Sequence, residues 1–567
     1  MLASLIGFSG CYDLDRAPFD QPSSSTFWKT ESQCVQGLMG IYSTFKKDDL
    51  FGKQFLVDVN SDVASGYDQY EALQLGTCTP TTGFLNGKWQ NGYNTIQAAN
   101  LAIRSIGESD INAEAKTKLI GEAKFLRALA YFHLLDYFGG LPLYDETTNL
   151  ETDINDLNLP RSTAEETRAF IMKDLNDAAA ANLPDSWSAD NYGRATGSSV
   201  YGLLGKVQMY NKSYSEAITS FERVLDAKYG HALHADFAEL FTPDGKGSKE
   251  MIFCIVNSGG VGKNYGMPFA FFAGTRNSFG SCWNNTVPST DLGNMYEYKD
   301  GRPFSWDEMF PGFTENLDVR ERVFRATVND AGTAVLSIPE EMAQIQAMYE
   351  QRDPRLAATV IAPYMTYKGW YANAAKDMFF LFAKKADGGI MNLNESGGFM
   401  RNNRGGWETY FWKKFVPDND WSGAITDRAH TPVNYPVIRL ADVYLMLAEC
   451  YNETGNQTKA VEYINKVRDR AGVALINSGP AHLAANSKEE VFQRIFRERA
   501  FELANEGHRD SDLRRWRLSH QLLNKDDYGI TGKRLFTRKF NENRDYLWPI
   551  PGDEIEKNDA LKQNPGW

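Results

Sequence analysis

Two separate stretches of the chain repeat one spacing of small residues, and this spacing constrains the fold more than any other feature. In "SVYGLLGKVQMYNKSYSEAITSFERVL" Gly205 precedes Ala217 by 12 positions, and in "DVYLMLAECYNETGNQTKAVEYINKVRDRAG" Ala448 precedes Ala460 by the same distance. Small residues at this offset let two antiparallel helices pack closely, while a larger residue such as Phe221 fills the gap between pairs. The spacing is typical of tetratricopeptide repeats; an ordinary helical hairpin with alanine at its crossing is the alternative.

Other apolar stripes with helical periodicity lie in the first third of the chain. "WQNGYNTIQAANLAI" places its aromatic and aliphatic residues on one face, and "LIGEAKFLRALAYFHLLDYFGGLP" does the same until Gly139 and Pro142 end the helix. With 163–181, these stretches supply further helix pairs. We predict a mostly α scaffold of four tetratricopeptide-like units, three before about residue 230 and one at 437–471.

The span 231–436 has a different composition. It is rich in glycine, asparagine, proline and aromatic residues, as in "SGGVGKNYGMPFAFFAGTRNSFGSCWNN", and it has few long periodic runs. Such composition indicates loops and short strands held together by aromatic packing. A long irregular insertion in a helical scaffold is a common location for function.

Charge and hydropathy exclude several classes of partner. The net charge is −13, so nucleic acids and anionic membranes are not expected as electrostatic partners. No apolar run reaches the roughly 20 residues that span a bilayer. The six cysteines are scattered without C-x-x-C pairs, which argues against a disulfide framework and a zinc site.

The amino terminus contains a candidate lipid attachment site. "MLASLIGFSG" is apolar with small residues at its end, like the last part of a secretory signal, although it lacks a basic segment. "FSGC" resembles the lipobox of bacterial lipoproteins, with Ser9 and Gly10 before Cys11, and Phe8 standing where leucine is usual. An ordinary thiol is the alternative for Cys11 from this motif alone.

The end of the chain resembles the SusD/RagB family, which comprises nutrient-binding outer-membrane lipoproteins of Bacteroidetes. The resemblance is carried by "FRERAFELANEGHRDSDLRRW" and "YLWPIPGDEIEKNDALKQNPGW". "STFWKTESQCVQGLMGIY", "GEAKFLRALAYFHLLDYFGGLPL", "RDPRL" and "YPVIRLADVYLMLAECYNETGN" agree in the family's order. The resemblance therefore spans nearly the whole chain.

This resemblance implies a surface lipoprotein. Cys11 would be the acylated first residue of the mature protein, Asp13 and Asp15 resemble a surface-export signal, and the protein would be anchored to the outer membrane by lipid alone. It would capture a glycan and deliver it to a SusC-like TonB-dependent transporter, without enzymatic activity. The implied organisation is a signal remnant and lipidation site at 1–11, a tether at 12–25, an N-terminal helical region at 26–230, the insertion at 231–436, and a C-terminal region with the fourth repeat and an extended tail at 437–567.

Two regions combine aromatic rings with polar side chains, which is the mixture that sugar rings and their hydroxyls need. By resemblance, the ligand platform of the family is assembled from the first helical region and the insertion. The candidates in the first region are Asp62, Tyr67, Tyr70, Trp89 and Asn91. Those in the insertion are Trp283, Asn284, Asn285, Tyr296 and Trp306.

Core packing is the alternative for several of these aromatic residues. Trp89 shares its helical stripe with Tyr93, which favours the core, whereas the asparagine-rich surroundings of Trp283 make burial less natural. Trp407 and Trp412 alternate with polar residues like a half-buried strand and are predicted to pack. No cofactor is predicted, and the sequence leaves a structural Ca²⁺ open without indicating one.

Two rival functions remain at this point. A glycoside hydrolase or lyase would need two carboxylates, such as Glu498 and Glu502, but the flanking arginines would lower their pKa values and disfavour a general acid. We instead expect Arg497, Glu498, Arg499, Glu502 and Glu506 to pair along one helix and to reach a neighbour. The second rival is an assembly protein that binds peptides on its tetratricopeptide-like repeats.

Overall fold

The computed structural model describes residues 27–67, 70–148, 157–259, 265–391, 393–401 and 407–567. Cys11 and the predicted tether lie outside the described residues. The scaffold is mostly α, as predicted. Its helices are α1 (Glu31–Thr44), α2 (Glu71–Gln74), α3 (Gly83–Glu108), α4 (Ala113–Phe138), α5 (Ala164–Ala180), α6 (Gly197–Tyr210), α7 (Tyr214–Val224), α8 (Phe269–Ala273), α9 (Thr290–Met295), α10 (Trp306–Met309), α11 (Leu317–Phe324), α12 (Met342–Gln351), α13 (Pro354–Thr359), α14 (Leu440–Glu453), α15 (Gln457–Ala471), α16 (Lys488–Leu503), α17 (Arg509–Arg515), α18 (Ser519–Leu522) and α19 (Gly552–Lys557).

Helix boundaries follow local capping chemistry. α1 and α5 begin at capping boxes, in which Thr30 and Thr163 each accept from the third backbone N–H of the helix. α4 ends at Phe138 because Gly139 adopts φ +74°, a left-handed conformation that glycine adopts without strain. The predicted end of this helix is confirmed.

The small residues that define the repeat spacing lie where helices approach closely. A Cβ atom on Gly205 would lie 2.6 Å from the ring of Phe221, so only glycine admits this approach of α6 to α7. In the second pair, α14 and α15, Ala448 and Ala460 are fully buried. α4 packs against both α3 and α5, and α5 packs against α6. The two motif-bearing stretches thus form the predicted helix pairs.

A two-stranded ladder joins the beginning and the end of the irregular region. β2 (Met251–Ile255) pairs antiparallel with β12 (Tyr435–Arg439), directly before α14. Because this ladder closes the intervening chain into a loop, α14 packs against α7 and extends the helical scaffold. Sequence separation therefore does not interrupt the stack of helix pairs.

Between α7 and α14 the elements are short, as the composition indicated. No described helix there exceeds the ten residues of α12, and the longest strands have six. The remaining strands of this region are β3 (Thr286–Pro288), β4 (Arg325–Val328), β5 (Val335–Ser337), β6 (Val360–Ile361), β7 (Thr366–Tyr371), β8 (Ala374–Phe379), β9 (Phe382–Lys385), β10 (Ile390–Met391) and β11 (Phe411–Trp412). Outside it lie β1 (Ala64–Gly66), β13 (Asp526–Tyr528) and β14 (Arg534–Thr537).

Most of these strands form two-stranded antiparallel ladders. β1 pairs with β3, β7 with β8, β6 with β11, and β13 with β14, while a mixed sheet has the order β10-β9-β4-β5.

The charged residues of the C-terminal motif build a buried ion-pair network. Arg439 is fully buried and reaches Glu250, Glu502 and Glu506, each at 2.7 Å. Arg355, from the "RDPRL" motif, adds contacts of 2.6 Å to Glu498 and 3.0 Å to Glu502, and Arg470 also pairs with Glu502. The network ties α16 to β12, α13 and α15.

The prediction that the charged residues of this motif pair with one another along one helix is wrong. The buried α16 residues Glu498, Arg499 and Glu502 pair with other elements, and the described structure has no ion pair within α16. Arg497 stays partly exposed, 3.7 Å from Glu297. The expectation that these side chains reach a neighbour is confirmed. The reason is tertiary: neighbouring elements supply arginines on the buried face, where pairing compensates desolvation best.

In the part of the helical core that the structure describes, one buried lysine has no carboxylate within ion-pair distance. Lys88 on α3 is fully buried; its Nζ lies 2.9 Å from His133 Nε2, donates to Gln54 Oε1 over 3.3 Å and sits over the Tyr137 ring. Burial lowers the pKa of Lys88 to about 7, against the opposing charges of nearby aspartates.

Lys88→Met is expected to raise the free energy of unfolding by about 1–4 kcal/mol at pH 6, because an apolar chain replaces a buried charge. The unfolded chain keeps this proton up to its ordinary pKa while the folded chain loses it near 7. The cost of burying the charged ammonium group is thus fully present below pH 7 and falls as the pH rises. The increase in unfolding free energy caused by Lys88→Met should therefore be smaller at pH 9. Urea titrations at both pH values measure it, with the exposed Lys459→Met as the control. An equal increase in unfolding free energy at both pH values would contradict the lowered pKa of Lys88.

None of the described helices is both long and apolar enough to cross a membrane.

Candidate functional site

The structure buries most of the aromatic candidates, and for these the site prediction is wrong. Trp89 is 4% exposed and packs against Tyr93 and Phe138, which confirms the core alternative for it. Tyr70 is 1% exposed and packs between Phe84 and Trp548. Both rings face other elements of the helical scaffold, so a sugar has no access to them.

Two aromatic candidates of the insertion are also core residues. The Tyr296 ring stacks on Phe501 at 4.7 Å, and its hydroxyl donates to the carbonyl of Phe501. Trp306 is buried among phenylalanines and donates from Nε1 to Asn294 Oδ1. In both cases an internal partner satisfies the polar atom, as buried Tyr and Trp require.

The polar candidates of the first region have structural partners. Asp62 is buried and forms a two-pronged ion pair with Arg509, at 2.7 and 2.8 Å. The charge of Arg509 lowers the pKa of Asp62 although burial alone would raise it. Asn91 is half-buried on α3 and donates to Asp49 over 3.4 Å. Asp62 is therefore unavailable to a ligand at the surface, whereas Asn91 is partly exposed and already has an internal partner.

Tyr67 and Trp283 are exposed, and the structure brings them together. Tyr67 is 37% exposed and Trp283 is 45% exposed. The ladder of β1 and β3 pairs Gly66 with Thr286, and one step further the Tyr67 backbone N–H donates to the carbonyl of Asn285. The Tyr67 hydroxyl lies 3.2 Å from Asn285 Oδ1 and 3.3 Å from the Trp283 carbonyl. A segment of the first helical region and one of the insertion thus form a single surface.

A second ring enlarges this surface. Phe271, partly buried at the third position of α8, stacks on Trp283 with a centroid separation of 5.5 Å and an angle of 26°. The Trp283 backbone N–H donates to the Phe271 carbonyl, which fixes the two residues relative to each other. We name Tyr67, Phe271 and Trp283 the aromatic platform.

Asn284 follows Trp283 in the chain and is buried beneath the surface. Its backbone has φ +56°, its side chain is 1% exposed, and neither polar atom of its amide has a hydrogen-bond partner in the described structure. An unsatisfied buried amide costs about 1–3 kcal/mol. In this conformation Asn284 is beneath the surface, so the prediction that it contacts ligand directly is not supported by its position.

Arginines border the aromatic platform. The guanidinium of Arg276 lies 6.0 Å from the Trp283 ring, and that of Arg428 lies 5.2 Å from the Phe271 ring. Beyond Phe271, a groove of about 270 Å³ continues past Lys53 and His430. The site therefore combines exposed π-faces with hydrogen-bond donors, a combination that suits polyhydroxylated ligands.

Sequence reasoning missed Phe271, Arg276 and Arg428. The run "FAFFAGTRNSFGSCW" signals Phe271 and Arg276 through its aromatic and basic content close to Trp283. Arg428 carries no such local signal, because the fold alone brings its loop to the platform. Trp407 and Trp412 behave as predicted: Trp412 is fully buried in β11 and Trp407 stacks on Phe536.

Two other chemistries, glycoside hydrolysis and metal binding, have no support among the described residues. Glu498 and Glu502, the carboxylates of the hydrolase alternative, are buried in ion pairs. Burial would raise the pKa of Glu502, but Arg470, Arg439 and Arg355 hold it well below its ordinary value. Within the described ranges, no group of three or more His, Cys, Asp or Glu side chains is arranged to hold a metal ion.

Comparison with known proteins agrees with these observations. The sequence profile of the SusD family matches residues 249–567, more than half of the chain. The chain belongs to the SusD family. A second profile, described as starch-binding and associating with the outer membrane, matches residues 14–209. The recognised family resemblance is thereby confirmed.

Relatives within the SusD family extend over nearly the whole chain. A SusD-like protein of Formosa agariphila is 23% identical over 99% of this chain and 98% of its own. Among solved structures, a SusD-like carbohydrate-binding protein from Bacteroides fragilis aligns with a TM-score of 0.74 at 24% identity, covering 95% of this chain and all of the other. Surface glycan-binding protein A from Bacteroides thetaiotaomicron, solved with laminarihexaose, aligns with a TM-score of 0.64 at 18% identity, over 94% and 100%. At these identities the structural likeness establishes the SusD fold.

Proposed function

We propose that this protein is a glycan-binding lipoprotein of the outer-membrane surface, anchored through Cys11. It captures an oligosaccharide or polysaccharide and delivers it to a SusC-like TonB-dependent transporter, without chemically changing the ligand. Membership of the SusD family supports this proposal, as do relatives that include a laminarin-binding SusD-like protein. The description of the N-terminal profile supports the association with the outer membrane.

The aromatic platform is the observation on which the glycan site rests. The surfaces of Trp283 and Tyr67 are large and apolar, and both are exposed in a chain that buries most of its other aromatic candidates. Pyranose C–H faces stack on such rings, while hydroxyls accept from the bordering arginines and bond to Tyr67. The hydrogen bonds across β1 and β3 hold the rings in place before ligand arrives, which reduces the entropy cost of binding.

Trp283→Ala is expected to weaken polysaccharide binding about 30-fold, corresponding to roughly 2 kcal/mol, since truncating a central aromatic contact removes most of its stacking. Affinity gel electrophoresis of residues 12 onward measures this against starch, xylan, pectins, fructans, mucin O-glycans and N-glycans. Tyr528→Ala, which removes another exposed ring at 46% exposure, should leave retardation unchanged.

Three outcomes would contradict the proposal. Retardation that survives Trp283→Ala would place the site elsewhere, and steady release of reducing ends from any polysaccharide would show an enzyme. Binding of a peptide partner in the helical scaffold, with no glycan retained, would favour the assembly function.

A further inference from the structure

The guanidinium of Arg428 has donors that face solvent beside the aromatic platform. Its Nη1 donates to the carbonyls of Gly280, at 2.6 Å, and Ser281. Its Nε and Nη2 make no hydrogen bond in the described structure, and neither is among the buried unpaired atoms. No carboxylate lies within ion-pair distance of Arg428 in the described parts of the chain. A planar pair of N–H groups thus remains available next to the rings.

The loop that holds Arg428 is built to accept it. Gly280 has φ +79°, and a Cβ atom there would lie 2.8 Å from the Cβ of Arg428. Any other residue at position 280 would therefore displace the arginine. On its other side the guanidinium rests 5.2 Å from the centroid of Phe271, a cation–π contact that leaves its edge exposed. The orientation of this cation is fixed by the fold.

Carboxylates near this arginine and in the adjacent groove already have other ion-pair partners. Asp427 Oδ2 lies 3.0 Å from His430 Nδ1, and Asp48 lies 3.3 Å from Lys53. The groove beyond Phe271 is lined by Lys46, Lys53 and His430, with Asp48 as its carboxylate among the described residues. Among the described residues, the two lysines of this groove and the two arginines that border the platform outnumber the nearby carboxylates Asp48 and Asp427, on a chain whose net charge is −13. A neutral glycan has no need of such an arrangement, whereas an anionic one would otherwise be repelled.

The geometry points to a polysaccharide that bears a carboxylate or sulfate ester on its sugar units, with Arg428 binding that acidic group while the platform stacks on the ring. This inference rests on the proposed glycan-binding function of the same site. A guanidinium edge matches two oxygens of a carboxylate or sulfate through parallel N–H···O bonds, which a neutral hydroxyl provides less well. The groove past Lys53 would bind the next acidic sugar unit of the polysaccharide.

Matched pairs of polysaccharides test the inference. The probes are polygalacturonate with its methyl ester, and a sulfated galactan with its desulfated form, all in affinity gels. We expect the acidic member of one pair to be retained and its neutral partner not. Arg428→Gln should weaken that retention about ten- to a hundred-fold, the range for one hydrogen bond to a charged group. Retention should also fall between about 50 mM and about 500 mM NaCl, because salt screens exposed charges.

Arg223→Gln is the control, since it removes an equally charged but exposed arginine that forms an ion pair with Asp226, three residues further along the chain. Retention of polygalacturonate alone identifies a carboxylate, and retention of the sulfated galactan alone identifies a sulfate. Binding of neutral polysaccharides only, unchanged in Arg428→Gln but lost in Trp283→Ala, would overturn this inference and leave the proposed function standing. If none of these probes and none of the polysaccharides of the earlier panel were retained, both the inference and the proposed function would be overturned.

Discussion

Glu502→Gln is expected to lower the free energy of unfolding by about 3–5 kcal/mol, the largest single effect in the ion-pair network. Glu502 is fully buried, and its carboxylate contacts Arg355, Arg439 and Arg470. Glutamine keeps the shape of the side chain but leaves the three guanidinium groups with one anion fewer in the buried interior. Urea denaturation followed by circular dichroism measures the change.

The same carboxylate predicts a dependence on pH. The arginines depress the pKa of Glu502 in the folded protein, so its stabilising contribution is present above the unfolded pKa near 4.5. It is lost as the pH falls below that value towards the lower folded pKa. Glu462→Gln, which removes an exposed carboxylate paired with Lys459, should change stability by at most about 0.5 kcal/mol. A loss of under 1 kcal/mol in Glu502→Gln would show that the network contributes little.

Trp548→Ala is expected to cost about 3–5 kcal/mol, because it leaves a large cavity under the C-terminal tail. Trp548 is 1% exposed, packs 4.0 Å from the Tyr137 ring and contacts Tyr70 and Phe84. Its backbone N–H donates to the Tyr137 carbonyl over 2.7 Å, so the tail is also fixed to α4. The expected decrease in stability is measured by the same urea titrations.

Trp567→Ala separates docking of the tail from simple loss of a tryptophan. The Trp567 ring is partly buried against Arg544, and its Nε1 donates to the Leu547 carbonyl. We expect this variant to lose about 1 kcal/mol, since little apolar area is uncovered and no deep cavity forms. Equal losses in the two variants would mean that the tail docks as a whole rather than through Trp548.

Local patterns in the sequence predicted much of the scaffold. The end of α4 at Gly139 and the pairing of α6 with α7 depend on residues close together in sequence, and they appear where the patterns indicated. Phe221 was expected between helix pairs and instead packs on Gly205 within one pair. The helical stripe of Trp89 also indicated its burial. Periodicity identifies the buried face of one element because neighbouring turns share it.

The site was less predictable because it depends on contacts between distant segments. The asparagine-rich surroundings of Trp283 disfavoured its burial, but no pattern in the sequence indicated that Trp306 packs among phenylalanines. Nothing near Tyr67 in sequence shows that β1 pairs with β3 and brings it to Trp283. Arg428 likewise reaches Phe271 only through the folded insertion.

By itself the sequence determined the helix pairs, the family and the presence of an aromatic, irregular insertion. Only the tertiary structure decided which rings face solvent, which carboxylates are neutralised inside, and which arginine borders the platform. The physical reason is that exposure and electrostatic environment are properties of the whole packed chain. A residue such as Glu502 looks like a candidate catalyst in sequence and becomes a buried ion-pair partner because β12, α13 and α15 converge on it.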